Sequence, residues 1–157
     1  MTPAIRLLAS RGIAHDVMRY EATPSDDEYG VAAARALGLP PDRVFKTLVA
    51  TTDRGDYVVG LVPVDTRLDL KKLAPAVGAK KASMAEPSAV SRVTGYVLGG
   101  VSPLGQKKRL ATIIDASARD LTRMHISGGR RGLEIALAPA DLVALTDARF
   151  NEIALRD

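Results

Sequence analysis

The chain has 157 residues, 46% of them apolar and 25% charged, a balance that fits one folded domain and excludes a disordered or low-complexity chain. It contains no cysteine, which excludes a disulfide framework, a thiolate zinc site and a thiol nucleophile carried by the protein itself. The formal net charge is only +4, and Met1 to Ala9 carries one arginine and no long apolar run, so neither a signal peptide nor a membrane span is expected and the cytoplasm is the expected compartment.

Thr2-Pro3 predicts a helix start: threonine caps free amides, and proline at the first helical position forfeits no useful hydrogen bond. Ile5, Leu7 and Leu8 give this helix an apolar side, and Gly12 ends it. A strand is expected from about Ile13 to Tyr20. Ser25-Asp26-Asp27-Glu28 has the form of a capping box, opening a helix that runs through Leu37 and closes at Gly38. Pro40-Pro41-Asp42 reads as a turn. Val44 to Thr52 and Tyr57 to Val64 are strands joined around Asp53-Arg54-Gly55, a hairpin signal. Asp69 caps a short helix, Leu70 to Val77, and Ala82 to Met84 is a short strand. Pro87 opens a helix that ends near Gly95. Tyr96 to Leu98, Leu110 to Asp115, Arg123 to Ser127 and Leu133 to Leu137 are strand-like, and Pro139 begins a last helix to about Leu145. The final ten residues fit no single element. Aliphatic strands separated by irregularly placed helices predict an α+β domain in which helices pack on a mixed sheet.

Three features can carry chemistry. In Val44-Phe45-Lys46-Thr47-Leu48 the alternation of a strand puts Lys46 on one face with Val44 and Leu48. Such a lysine either sends its ammonium to water at the strand end or points into a pocket. Two glycine-rich loops, Gly99-Gly100-Val101-Ser102-Pro103-Leu104-Gly105 and Ser127-Gly128-Gly129-Arg130-Arg131-Gly132, let backbone amides approach a phosphate or an oxyanion, or simply turn tightly. Glu134 interrupts an apolar strand beside the small Ala136, and either binds a substrate amine or lies on the wet face of an edge strand. Tyr20, at the end of the first strand, is a core aromatic or a hydroxyl donor in a cleft. Lys71-Lys72, Lys80-Lys81, Lys107-Lys108-Arg109 and Arg130-Arg131 are grouped cations, a solvated surface or a face for a polyanion. His15 and His125 lack metal-ligand spacing, and no serine sits in a nucleophile elbow. His125 falls out of phase with Met124 and Ile126 and reads as exposed or packed. An enzyme built on these residues works by positioning and backbone hydrogen bonds.

These same residues carry a resemblance to the YbaK proteins, the Cys-tRNA deacylases related to the editing domain inserted in bacterial prolyl-tRNA synthetases. The likeness runs from Thr2-Pro3-Ala4 and Tyr20-Glu21 through Val44-Phe45-Lys46-Thr47-Leu48 and Leu68-Asp69-Leu70-Lys71-Lys72. It is densest in the Gly99-to-Arg109 run and Thr112-Ile113-Ile114-Asp115, returns in Ser127 to Leu133 and closes at Arg156-Asp157. It implies one editing domain over residues 1–157 with a partly barrel-like sheet, acting on the acceptor end of aminoacyl-tRNA, with no cofactor and no metal. By the resemblance Lys46 takes the place of the family's essential lysine, and Gly100-Val101 that of the loop facing the scissile ester. Tyr20 and Ser127 match pocket positions, and Gly99, Ser102, Gly128 and Glu134 are expected to touch substrate beside them. Lys107, Lys108, Arg109, Arg130 and Arg131 would contact tRNA. Glu134 stands where YbaK proteins commonly carry aspartate, so its carboxylate reaches one methylene farther into the pocket. The family also implies a substrate-assisted reaction, in which the cysteine thiol attacks its own ester, and docking onto prolyl-tRNA synthetase.

Overall fold

Helix α1 (Pro3–Arg11) begins where Thr2 accepts a hydrogen bond from the Ile5 amide and stops at Gly12. The computed structural model describes residues 1–22 and 29–156. The capping box read at residues 25–28 lies outside them, while the helix it was to open is present as α2 (Tyr29–Leu37).

The larger sheet grows from one hairpin. Strands β2 (Phe45–Thr52) and β3 (Tyr57–Pro63) pair antiparallel, with Lys46 opposite Val62. β5 (Ala82–Met84) adds antiparallel to the outer edge of β2. On the other side β6 (Ala111–Asp115) and then β9 (Arg149–Asn151) add in parallel, giving the order β5-β2-β3-β6-β9. β3 is covered on both faces, which is why it reads as a nearly unbroken aliphatic run rather than an alternating one. A second sheet has the order β1-β8-β7, with β1 (Asp16–Arg19), β8 (Leu133–Leu137) and β7 (Met124–Ser127) all antiparallel. β4 (Arg67–Leu68) and β10 (Ala154–Leu155) form a two-stranded ribbon. The larger sheet is mixed, as expected. Among the described residues they do not close into a barrel: β7 meets the start of β2 through a single bridge, Val44 to His125.

The period of two along each strand sorts side chains between two cores. Phe45, Val49, Val59, Leu61 and Ile114 face α1, the helix α4 (Pro87–Thr94) and the inner side of β7 and β8. Ala50, Val58, Val62 and Ile113 face the other way, onto Leu73 of α3 (Leu70–Ala76) and onto Ile153. Helix α5 (Pro139–Thr146) packs Leu142 into the first core.

Two elements differ from the sequence reading. Tyr96 to Leu98 is not a strand: among the described residues no neighbouring strand pairs with it. The Tyr96 ring is buried, its hydroxyl donates to the Leu104 carbonyl at 2.5 Å, and burial pushes that hydroxyl up to about 12. Val97 and Leu98 are instead 70% and 54% exposed, on a turn closed by the Gly100 amide donating to the Val97 carbonyl at 2.9 Å. The ambiguous end of the chain is ordered by a side chain far away in sequence. Asp115, 2% exposed, accepts from the amides of Ile153 and Ala154 at 3.1 and 3.0 Å and from the Ser117 hydroxyl at 2.6 Å, and pairs with Arg156 at 3.2 Å.

Candidate active site

A cavity of about 330 Å³ opens where β2, β5, α2, α4 and the β7–β8 ribbon meet. Lys46 enters it from β2, Ser127 from β7 and Glu134 from β8; Tyr20, just past β1, and the turn residues Leu98, Gly99 and Val101 complete the polar side. The remainder of the lining is largely aliphatic, including Val31, Val49, Val64, Met84 and Val90. Ser127 and Glu134 are register partners across β7 and β8, so the fold places them side by side. Lys46 and Glu134 are the charged side chains of this lining, and no histidine, aspartate or cysteine stands among the described residues that form it. The Ser127 Oγ accepts from the Gly129 amide at 3.2 Å.

The two glycine-rich loops touch each other. A Cβ on Gly100 would stand 2.7 Å from the Arg130 Cα, and one on Gly129 would stand 2.8 Å from the Tyr96 ring and 2.9 Å from the Thr2 Cβ. Glycine is required at Gly100 for close approach alone. Gly99, at φ +90°, is required for its conformation, which side chains rarely adopt. The N-terminus fastens the pair: the Thr2 hydroxyl donates to the Gly128 carbonyl at 2.5 Å, and the Tyr20 amide donates to the Gly132 carbonyl at 3.0 Å. The amide of Gly100 is committed to the turn. Those of Gly99 and Val101 engage no described acceptor and belong to residues of the cavity wall.

Electrostatically the cavity is unusual at Glu134. This residue is 4% exposed, on a strand buried along its whole length and central in its sheet. That excludes the reading of Glu134 on the wet face of an edge strand. No described group bonds to it, and burial pushes its carboxyl well above the ordinary 4.5. Lys46, half-buried, takes the pocket position of the two open to it in sequence.

Of the residues singled out from sequence, Tyr20, Lys46, Gly99, Val101, Ser127 and Glu134 share this wall. Gly100, Ser102 and Gly128 do not. Ser102 is fully buried, its Oγ accepting from the Leu104 amide, and Gly128 packs on Leu133 while its amide donates to the Leu133 carbonyl. Lys107, Lys108, Arg109 and Arg130 are exposed, and Arg131 is half-buried; Arg109 lies 3.7 Å from the still more exposed Asp147. Sequence reasoning missed Gly30, Thr47, Met84 and Leu98. Gly30 carried a signal, a glycine inside a helix: a Cβ there would meet Val64 Cγ1 at 2.4 Å, and Lys46 Cβ is 3.6 Å away. Thr47, whose Oγ1 is enclosed without a partner, carried none.

The same architecture recurs in known proteins. A crystal structure described as a putative trans-editing enzyme for prolyl tRNA synthetase superposes with a TM-score of 0.83 at 28% identity, over 99% of this chain and 98% of that one. In sequence, the chain is 36% identical over 157 residues to a putative Cys-tRNA(Pro)/Cys-tRNA(Cys) deacylase, EbsC, of Enterococcus faecalis, covering 99% of this chain and 94% of that protein. It is 27% identical over 111 residues to the multifunctional Ser/Thr-tRNA deacylase ProXp-y of Escherichia coli, covering 71% of this chain and 66% of the other. Residues 27–145, which hold Lys46, both glycine loops and Glu134, match the model of the aminoacyl-tRNA editing domain. With cavity, loops and sequence agreeing over most of its length, the chain belongs to the aminoacyl-tRNA editing domain family.

Proposed function

We propose that this protein is a trans-editing deacylase that removes cysteine from mischarged Cys-tRNA(Pro), with Cys-tRNA(Cys) as a second substrate, and that the whole of residues 1–157 serves as that one domain. The observation that carries the reading is a mostly aliphatic cavity with one lysine, one buried acid and, among its described lining residues, no cysteine or histidine. Such a cavity can hold an aminoacyl ester, and in this reading the attacking atom comes from the substrate. The cysteine sulfur bonds to the ester carbonyl carbon, the bond from that carbon to the ribose oxygen breaks, and the thiol proton ends on the ribose hydroxyl. The products are free tRNA and a cyclic thiolactone.

The chain's own residues orient and stabilise. Holding the thiol against its carbonyl exploits intramolecularity, for which positioning counts for most of the acceleration. The amides of Gly99 and Val101 serve the developing oxyanion, while Gly100 supplies the close packing that aims them. Lys46 orients the terminal adenosine or its phosphate. Glu134 receives the substrate amine, whose ammonium favours ionisation of the carboxyl on binding. Lys107, Lys108, Arg109, Arg130 and Arg131 take the acceptor end, Tyr20 and Ser127 the ester's surroundings. A complex with prolyl-tRNA synthetase would supply tRNA selectivity, and the cytoplasm is where these substrates arise. No described helix is long and apolar enough to cross a membrane.

A second reading rests on Glu134 itself. A protonated carboxyl donates and accepts hydrogen bonds, which suits a substrate hydroxyl, and one relative is named for serine and threonine. A panel of Cys-, Ser-, Thr- and Ala-tRNA decides between them. Cysteine release far exceeding serine release supports thiol assistance, because a hydroxyl is a much weaker nucleophile at neutral pH. Equal rates select the second reading, and tRNA bound with every ester left intact overturns both.

A further inference from the structure

A second cavity, of about 390 Å³, takes no part in the reaction derived above. Its wall is formed by Arg43, at the end of the 3-10 turn before β2, by Asp120, Leu121, Thr122 and Arg123 ahead of β7, and by His125 within β7. Met124 and Ile126 turn into the core, so His125 and Ser127 share the opposite face of β7. They stand two residues apart, about 7 Å along a strand. Ser127 belongs to the first cavity, so one strand face leads from one cavity to the other.

The chemistry of the second wall is mixed rather than basic. Arg123 is already compensated: its guanidinium pairs with Asp16 and donates to the Ala136 carbonyl at 3.1 Å. Burial, with Arg123 and Arg43 beside it, holds the His125 imidazole below its ordinary 6.5, so it adds no charge at neutral pH. Arg43 and Asp120 bring one charge of each sign to the wall. This near-neutral set would bind a phosphate weakly. It offers guanidinium donors, the Thr122 hydroxyl, one carboxylate acceptor, and an imidazole and a leucine as flat or apolar surface. A nucleobase that presents one amino donor beside two acceptors matches it: cytosine gives its amino group to aspartate and takes donors at its ring nitrogen and carbonyl. Guanine's edge has the reverse balance.

We infer that the cavity walled by Arg43, Asp120, Thr122, Arg123 and His125 receives a cytosine of the single-stranded CCA end, while the aminoacylated adenosine occupies the first cavity. The inference rests on the deacylase reading for the identity of the RNA, and it tests separately because no ester is needed. Uncharged RNA hairpins ending in CCA or in UUA, titrated against the intact protein by fluorescence anisotropy, should differ in affinity by roughly tenfold in favour of CCA. The exposed substitutions Arg43→Ala and Asp120→Ala should each remove most of that preference, with circular dichroism and melting confirming the fold. The His125 ring resonances should shift with cytidine monophosphate and not with inorganic phosphate. Equal affinity for both hairpins, an unchanged preference in both variants, or a response to phosphate matching that to the nucleotide would overturn the cytosine pocket. A protein that cleaves Cys-tRNA without CCA preference loses this pocket alone. One that prefers CCA and cleaves nothing loses the deacylase reading alone.

Discussion

Glu134 is buried on β8 with no described partner, so folding favours its protonated form. Its contribution to stability is present in full below the unfolded value near 4.5 and declines as pH rises toward the higher folded value. Glu134→Gln keeps the shape and removes the titration, so the variant should melt higher than the parent at pH 8, with a flatter pH profile above pH 4.5. A glutamine variant that melts lower at pH 8 would contradict this account. The same substitution removes the carboxylate offered to the substrate amine, and kcat/KM on Cys-tRNA(Pro) should fall by roughly tenfold or more. Lys46→Ala is expected to lower deacylation by roughly 10²-fold through lost positioning; a fully active alanine variant would remove Lys46 from the site. Lys46 was legible because a strand's period of two exposes a charge placed on an aliphatic face. The burial of Glu134 was not, because only the order β1-β8-β7 shows that its strand is central.

Loops set the site's precision. Gly100→Ala would place a methyl 2.7 Å from the Arg130 backbone, where neither partner is a flexible side-chain tip. Parting the two loops should cost about 1–3 kcal/mol of stability and lower kcat by a larger factor than that loss of folded protein explains, as single-turnover rates on fully folded samples would show. An alanine variant with parental kcat would dissociate the loop contact from catalysis. Both glycine runs were visible in the sequence, but their contact joins segments about thirty residues apart with Thr2 beneath them, and no local pattern reports that. The strand read at Tyr96 to Leu98 failed for a related reason: β propensity describes a surface that fits a neighbour, and among the described residues none pairs here.

Across the whole molecule the hairpin β2–β3, the strand β6 and most helices followed from periodicity and caps. The chain's end did not, since β9 and β10 depend on Asp115. Burial alone would raise that carboxyl, but the Ser117 hydroxyl, the amides of Ile153 and Ala154, and Arg156 outweigh it and hold it below its ordinary 3.8. Its contribution is present above the unfolded value and is lost as pH falls through the folded one, so acid loosens this joint. Asp115→Ala orphans two buried amides and should cost about 2–4 kcal/mol, a drop in Tm of roughly 5–15 °C by calorimetry. A change within 2 °C, on the order of 1 kcal/mol or less for a chain of this size, would show the joint to be incidental. One carboxylate thus serves as a clasp that ties residues 153–156 to the end of β6.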